Sequence, residues 1–309
     1  MNTANDGAWL ISVVVPCRGH ARELRRCLAS IVVQQFTGTF EVIVVDAAAD
    51  DDVAEVVAAF PDVRLVRSRG GLLPGPARNL GVMHSRGSVL LFVDADCKCE
   101  NGWVSGAYSA LQGGCRLIGG AVLDGHPWHP IGVADNLLQF SDLSAQRPRG
   151  RIRLIPSCNL GIRRRDFDAL GGFRAVAAGE DVLFCAAAAR HWPNSLLFEP
   201  RMRVRHFGRT SFGAFWRHQE RFGHARGALG LELSLSQRRI GRFAIAAPAV
   251  WLKRLLYLMR RTASSGPAAF GSLLLLLPIV SLGLVAWCAG FRRGCAQVLT
   301  DQVHERAAD

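Results

Sequence analysis

From Trp9 the chain alternates short β-branched runs with helical stretches: WLISVVVP, then ARELRRCLASIVVQQ, FEVIVVD, DDVAEVVAAF and VRLVRS. Strand, helix, strand, helix, strand in that rhythm implies parallel strands joined by crossover helices, because parallel neighbours cannot be linked by a tight hairpin. A loop, GGLLPGPARN, leads into a further helix near 77–85 and then into Val89–Val93, an unbroken apolar run that suits a strand buried on both faces. In open α/β sheets ligands bind beyond the carboxyl ends of the strands, where Pro16, Asp46 and Asp94 to Asp96 fall. Three strand ends therefore converge on one site.

The last of these strands runs into the acids of DADCK. On extended backbone, residues two apart face the same way, so Asp94 and Asp96 are expected to point at one spot. Two close carboxylates repel unless a cation or hydrogen-bond donors lie between them, and a hard divalent ion with oxygen ligands fits. An isolated D-x-D is more often a pair of solvated loop acids or helix caps, so its meaning depends on the rest of the chain.

With 309 residues, half of them apolar, the chain can bury one large or two ordinary cores, and disorder as a whole is excluded. Lys and Arg outnumber Asp and Glu by 37 to 25, a formal charge of +12 that suits nucleic acid, an anionic membrane surface or a phosphorylated ligand. No zinc-finger or RNA-recognition signature accompanies the charge, so nucleic acid is not an expected partner. Nine Cys without paired C-x-x-C spacing point to reduced thiols in a cytosolic domain. MNTANDG has neither the basic patch nor the apolar core of a secretory signal, which favours a cytoplasmic main domain.

The middle, 102–200, is less regular, with HPWHPIG and QRPRGRIR expected as loops. AGEDVLFCAAAARHW reads in its second half as a helix that opens at its acidic end, as the helix dipole prefers. Beyond Ser211 aromatic and basic residues mix, and a boundary is expected near residue 240. Ala268 to Gly290 carries no charge and, at ~1.5 Å per residue, is long enough to cross a ~30 Å hydrocarbon core, with Pro278 tolerated in a transmembrane helix. In 243–259, Lys253 and Arg254 interrupt the apolar run, so a helix lying in the interface is expected there.

In their order and approximate spacing, VVVPCRG, VIVVD, GPARNLG, FVDAD, NLGIRR with LGGF, and GED resemble the family 2 glycosyltransferases, inverting enzymes of the GT-A fold. The resemblance covers about the first 225 residues. It implies an α/β chain: a GT-A domain over 1–240, with a Rossmann-like, mostly parallel sheet and helices on both faces. Its nucleotide and metal half is 1–100 and its acceptor half 101–240, and membrane-associated helices follow in 241–309.

Sugar transfer from a nucleotide donor needs a cation against the departing diphosphate, a base for the acceptor hydroxyl and a wall for the nucleotide. The resemblance assigns Mn²⁺ or Mg²⁺ to Asp96, with Asp94 and His206 beside it, and gives Asp94 the ribose or a metal-bound water as well. Pro16, Arg18, Asp46, Arg78 and Asn79 are placed on the nucleotide sugar. Arg78 and Asn79 open a helix, where free N–H groups and a guanidinium suit phosphate, though a surface arginine beside a capping loop reads the same way. Asp181 is the expected general base, with Glu180 either assisting or serving as a helix N-terminal charge.

The expected partners are a nucleotide sugar, with UDP as the expected nucleotide, a saccharide or lipid-linked acceptor, and the inner (plasma) membrane, the catalytic domain facing the cytoplasm. Two departures stand out. DAAADDD follows Asp46 where the family commonly has Asp, Gly and Ser or Thr, and QERFG from Gln219 lacks the Gln-x-x-Arg-Trp of processive synthases, which points to one addition per acceptor. Rival readings are a sugar-phosphate nucleotidyltransferase and a catalytically silent membrane scaffold. The first needs a Gly-rich loop after its first strand, where this chain reads PCRGHAREL, and that also counts against a dinucleotide-binding dehydrogenase.

Overall fold

The computed structural model describes residues 10–230 and 247–308. Contacts divide the chain into two compact units by fold rather than by position. One comprises the chain up to Leu123, Arg147–Val176 and Glu180–His206; the other comprises Asp124–Gln146, Ala177–Gly179 and the chain from Phe207. The expected boundary near 240 lies outside the described residues, as does 243–246 of the expected interfacial helix.

The first unit is built on the alternation that opens the sequence. β1 (Ile11–Cys17), β2 (Phe40–Asp46), β3 (Val63–Arg67) and β4 (Val89–Val93) pair in parallel, linked by α1 (Ala21–Val32), α2 (Asp51–Ala58) and α3 (Pro74–Met83). The third helix begins before the expected 77 because Pro74 opens it, its fixed φ and missing N–H being suited to a first turn.

The irregular middle supplies β5 (Cys97–Cys99), α4 (Trp103–Gln112), β6 (Leu117–Asp124), β7 (Gly150–Arg151), β8 (Asn159–Arg163), α6 (Arg164–Ala169), α7 (Glu180–His191) and β9 (Leu196–His206), with α5 (Pro130–Phe140) in the second unit. The sheet runs β3-β2-β1-β4-β8-β6-β9-β5, with β7 paired to β9. From β4 outward the pairing changes: β8 is antiparallel to β4 and β6, and β9 is antiparallel to β5 and β7. The sheet is therefore mixed rather than mostly parallel. Strands of two to five residues carry too little pattern to announce their direction.

Two features fix how the halves of this sheet join. Phe92 on β4 meets Phe167 and Phe173 at ring-centroid distances of 5.7 and 5.2 Å, and Phe184 of α7 lies tilted against Phe173 at 4.5 Å, so α6 and the Phe173 loop pack on β4 and α7 packs on them. Asn159, fully buried at the start of β8, accepts from Trp103 Nε1 at 2.8 Å and donates to the carbonyls of Ala121 and Met202 at 3.1 and 3.0 Å. One amide thus ties α4, β6 and β9 to β8, with every bond satisfied, as burial demands.

The second unit is helical: α5, α8 (Phe212–Ala228), α9 (Ala247–Ser264), α10 (Pro267–Leu275) and α11 (Leu277–Ala308). The expected single helix from Ala268 to Gly290 is two, α10 and the start of α11, broken at Leu276. Pro278 explains the break, because its ring clashes with the carbonyl four residues back while the first turn of a new helix accommodates it. Inside the unit, Ala134, Leu258, Leu273, Val280 and Leu284 form one buried cluster, and Trp287, Cys288, Phe291 and Cys295 another.

Glycines bring α8 and α11 into backbone contact. A Cβ on Gly223 would lie 1.9 Å from the carbonyl oxygen of Trp287, and one on Gly290 would lie 1.9 Å from that of Glu220. At Gly227 and Gly294, each one turn further on, a Cβ would lie 2.4 Å from the Phe291 carbonyl oxygen and 2.1 Å from that of His224.

Candidate active site

The first four parallel strands end where the candidate residues gather. After Val93 the backbone turns: the Cys97 N–H bonds the Asp94 carbonyl at 2.9 Å, so the D-x-D segment is a tight turn and not extended strand. Asp94 and Asp96 consequently take different partners rather than sharing one from extended strand, a correction to the expected strand geometry. Asp94 turns to Arg78, and Asp96 turns to His206, whose Nε2 is 3.4 Å from Asp96 Oδ2. The register of β5 on β9 sets this up by pairing Cys97 with His206. His206 is buried, and the Asp96 side chain is 29% exposed.

Arg78 is the centre of the acidic group. It is 2% exposed and donates through Nη1 to Glu180 at 2.8 Å and through Nη2 to Asp94, with its guanidinium 5.7 Å from the Phe173 ring. Burial works against its charge, but the two carboxylates outweigh burial and hold it protonated. Its expected position on a phosphate is not what the fold provides: the guanidinium is buried and both terminal nitrogens are taken by carboxylates, Glu180 and the partly exposed Asp94. Asn79 is likewise a clamp. Its amide donates to the Phe173 carbonyl at 2.8 Å and accepts from the Phe173 N–H at 2.9 Å, holding the LGGF loop against α3.

Glu180 is buried at the first position of α7, bonded by Arg78 and by the Ser157 hydroxyl at 3.3 Å. Asp181 follows it, half-buried, its Oδ1 accepting from the Val182 N–H at 2.7 Å and its carboxylate from the Ser157 backbone N–H. Burial, reinforced by the Glu180 charge, pushes the Asp181 carboxyl up to about 7, with Arg78 pulling the other way. Burial also raises Asp94, against the pull of Arg78. A carboxyl with a pKa near neutrality can exchange a proton at physiological pH.

The nucleotide-side residues fall less openly. Pro16 is half-buried in β1 and Arg18 is exposed just after it, its guanidinium beside Gly71. Asp46 is fully buried, bonded by the Ala48 N–H at 3.1 Å and ion-paired with Arg67 at 3.4 Å, while its Oδ2 accepts no hydrogen bond. Ser157 and Phe173 were not singled out in the sequence. Each acts through partners far along the chain, and no local signal marks them.

This sheet, with its acids at the carboxyl ends of parallel strands, is that of a GT-A glycosyltransferase. Solved structures of that kind superpose on it. A mannosyltransferase from Pyrobaculum calidifontis, PcManGT, in complex with GDP-Man and Mn²⁺, matches with a TM-score of 0.62 at 17% identity, over 93% of this chain and 88% of that one. S. aureus TarS 1-349 in complex with UDP-GlcNAc matches with a TM-score of 0.56 at 16% identity, over 91% and 90%. The chain belongs to glycosyl transferase family 2, whose model matches residues 12–171. Among named relatives, Glycosyltransferase AglE of Haloferax volcanii is 25% identical over 301 residues, 90% of this chain and 91% of its own. The mouse polypeptide N-acetylgalactosaminyltransferase 12 is 41% identical over 175 residues, but that match spans only 30% of the mouse protein. This chain is thus a family 2 glycosyltransferase.

Proposed function

We propose that the chain transfers a single sugar, with inversion, from a UDP-sugar to a saccharide or lipid-linked acceptor at the cytoplasmic face of the inner (plasma) membrane, with Asp181 as general base. The observation that carries this reading is the Asp181 carboxyl, raised to about 7 at the start of α7 beside the Glu180–Arg78–Asp94 group, whose guanidinium is buried. Asp181 takes the proton from the acceptor hydroxyl as that oxygen bonds to the anomeric carbon. The bond from that carbon to the diphosphate breaks with its electron pair leaving on the diphosphate, and attack from the opposite face inverts the configuration. Glu180 and Arg78 are positioning residues: their ion pair fixes the first turn of α7 and keeps a negative charge beside Asp181, favouring its basic strength.

Asp96 and His206 offer one carboxylate and one imidazole at adjacent positions, which fits a divalent ion and favours Mn²⁺ over the strictly oxygen-seeking Mg²⁺. Among the described residues no group of three or more metal-ligating side chains gathers, so the remaining ligands would come from diphosphate and water. Such an ion would supply charge neutralisation for the leaving diphosphate. Asp46 Oδ2, buried and short of a donor, suits a nucleobase N–H once Arg67 moves aside. The structural relatives that bind GDP-Man or UDP-GlcNAc support a nucleotide-sugar donor without choosing the base.

The test is nucleotide-sugar binding and turnover by the purified chain across a donor panel, with Mn²⁺, Mg²⁺ or EDTA. Binding of one donor with Mn²⁺-dependent turnover is expected. Full activity in EDTA would remove the metal from Asp96 and His206, and absence of any nucleotide binding would leave the scaffold reading in its place.

A further inference from the structure

We infer that the second unit rests on one leaflet of a bilayer as a monotopic platform, and that α11 does not cross the membrane. This rests on the membrane-associated reading above and concerns how the association is made. Among the described residues, Leu277–Thr300 of α11 is the one helical stretch long and apolar enough to span by length and composition, yet 56% of an 18-residue apolar segment within it is buried inside the protein. Protein, not lipid, occupies that face. Gly290 and Gly294 lie against the backbone of α8 at Glu220 and His224, and Arg293 is ion-paired with Glu220. On another side, Arg254 of α9 stacks on Trp287 with its guanidinium 3.8 Å from the ring.

Crossing would drag this packing into hydrocarbon. α8 carries Arg217, Glu220, Arg221 and Arg226, and it cannot separate from α11 without opening backbone-to-backbone contacts. Arg292 and Arg293 would also lie about 12 Å inside the nearer end of the span, at ~1.5 Å per residue, where charge is costly.

The outward surface of these helices has the dimensions of an interfacial face instead. On α11 the exposed positions run Pro278, Leu282, Val285 and Ala289 before the arginines begin, about 16 Å of helix against a ~30 Å hydrocarbon core. Leu275 of α10 is 81% exposed, and Leu252 and Leu256 of α9 are about half exposed one turn apart. Lys253 and Arg260, also exposed on α9, add the positive charge that an anionic headgroup layer attracts. An apolar face rimmed by basic residues fits shallow burial of roughly 5–10 Å at the headgroup boundary.

The test uses the full chain with a protease-cleavable tag at each end, expressed in membranes and probed in sealed vesicles of known orientation. Both tags should be cleaved from the same side; cleavage from opposite sides overturns the inference. In flotation with vesicles of phosphatidylcholine, alone or with phosphatidylglycerol, binding should be stronger to the mixed vesicles. The double variant Leu252→Glu, Leu256→Glu, or Leu275→Glu alone, should weaken it by about tenfold or more, each lost apolar contact being large enough for that. Undiminished flotation of these variants, or no flotation of the wild type together with self-association in sedimentation, overturns the lipid as occupant. Nucleotide-sugar binding in detergent is read in parallel: it reports on the transferase reading whatever the vesicles do, and in the variants it should be unchanged.

Discussion

Asp181→Asn separates the energetic and the chemical roles of one side chain. The carboxyl titrates at 3.8 in ordinary surroundings and at about 7 in the fold. Between those values the native protein holds a proton that the unfolded chain has released, so native stability falls as pH rises through that window. Three units at ~1.4 kcal/mol each set a ceiling of about 4 kcal/mol, and because Glu180 shares the repulsion, the part Asp181 carries alone is on the order of 2 kcal/mol. Asparagine keeps an oxygen for the Val182 and Ser157 N–H groups but never ionises. The variant should therefore melt several degrees higher than wild type above pH 7, at roughly 2–4 °C per kcal/mol, and the advantage should vanish below 3.8. Over the same range wild-type turnover should rise with pH through about 7, while the variant loses about 10²–10⁴-fold in turnover at nearly unchanged nucleotide affinity. Thermal melts across pH and single-turnover transfer with the identified donor measure both. A melting difference that does not depend on pH, or near-normal turnover, would refute the assignment of base and proton to this carboxyl.

Three further outcomes are expected. Asp96→Asn should reduce Mn²⁺-dependent nucleotide affinity by at least about tenfold and leave the affinity measured in EDTA unchanged, by titration calorimetry. Asn159→Leu strands the Trp103 indole N–H and the carbonyls of Ala121 and Met202, and at ~1–3 kcal/mol for each unsatisfied group it should cost about 3 kcal/mol or more in urea denaturation. Gly290→Ala should destabilise the fold strongly by thrusting a methyl into the Glu220 carbonyl, whereas Gly271→Ala, in open space on α10, should stabilise by roughly 0.5–1 kcal/mol in the same melts.

What the sequence made legible was local. The parallel half of the sheet, β1 to β4 with its crossover helices, follows from alternation within windows of a dozen residues, and the acids at the strand ends follow from counting along those strands. The antiparallel half escaped in part because β5 and β7 are three and two residues long and offer no period, while the direction in which the longer β6 and β9 pair depends on neighbours remote in the chain. The candidate residues were picked by type, and for Arg78 and Asn79 the partners lie too far along the chain for their orientation to be read from it. Arg78 meets Glu180 across 102 positions and Asn79 meets Phe173 across 94, so nothing adjacent in the chain tells that both face inward. The apolar stretch after residue 267 was read by its lack of charge, whereas the four-residue spacing of Gly223 with Gly227 and of Gly290 with Gly294, equally visible in the letters, announces close helix packing.

The place of β8 has a consequence for synthesis. It lies between β4 and β6 in the middle of the sheet, yet Asn159 emerges 66 residues after Val93. At ~5–20 residues per second, a nascent chain holds the inner edge of β4 open for roughly 3–13 s before its neighbour exists. That edge is wholly apolar in side chain and unpaired in backbone, the combination most inviting to a second nascent copy on the same message. Slowing translation across 94–158 should therefore lower the soluble yield of this chain, and a holdase chaperone acting in that interval should restore it.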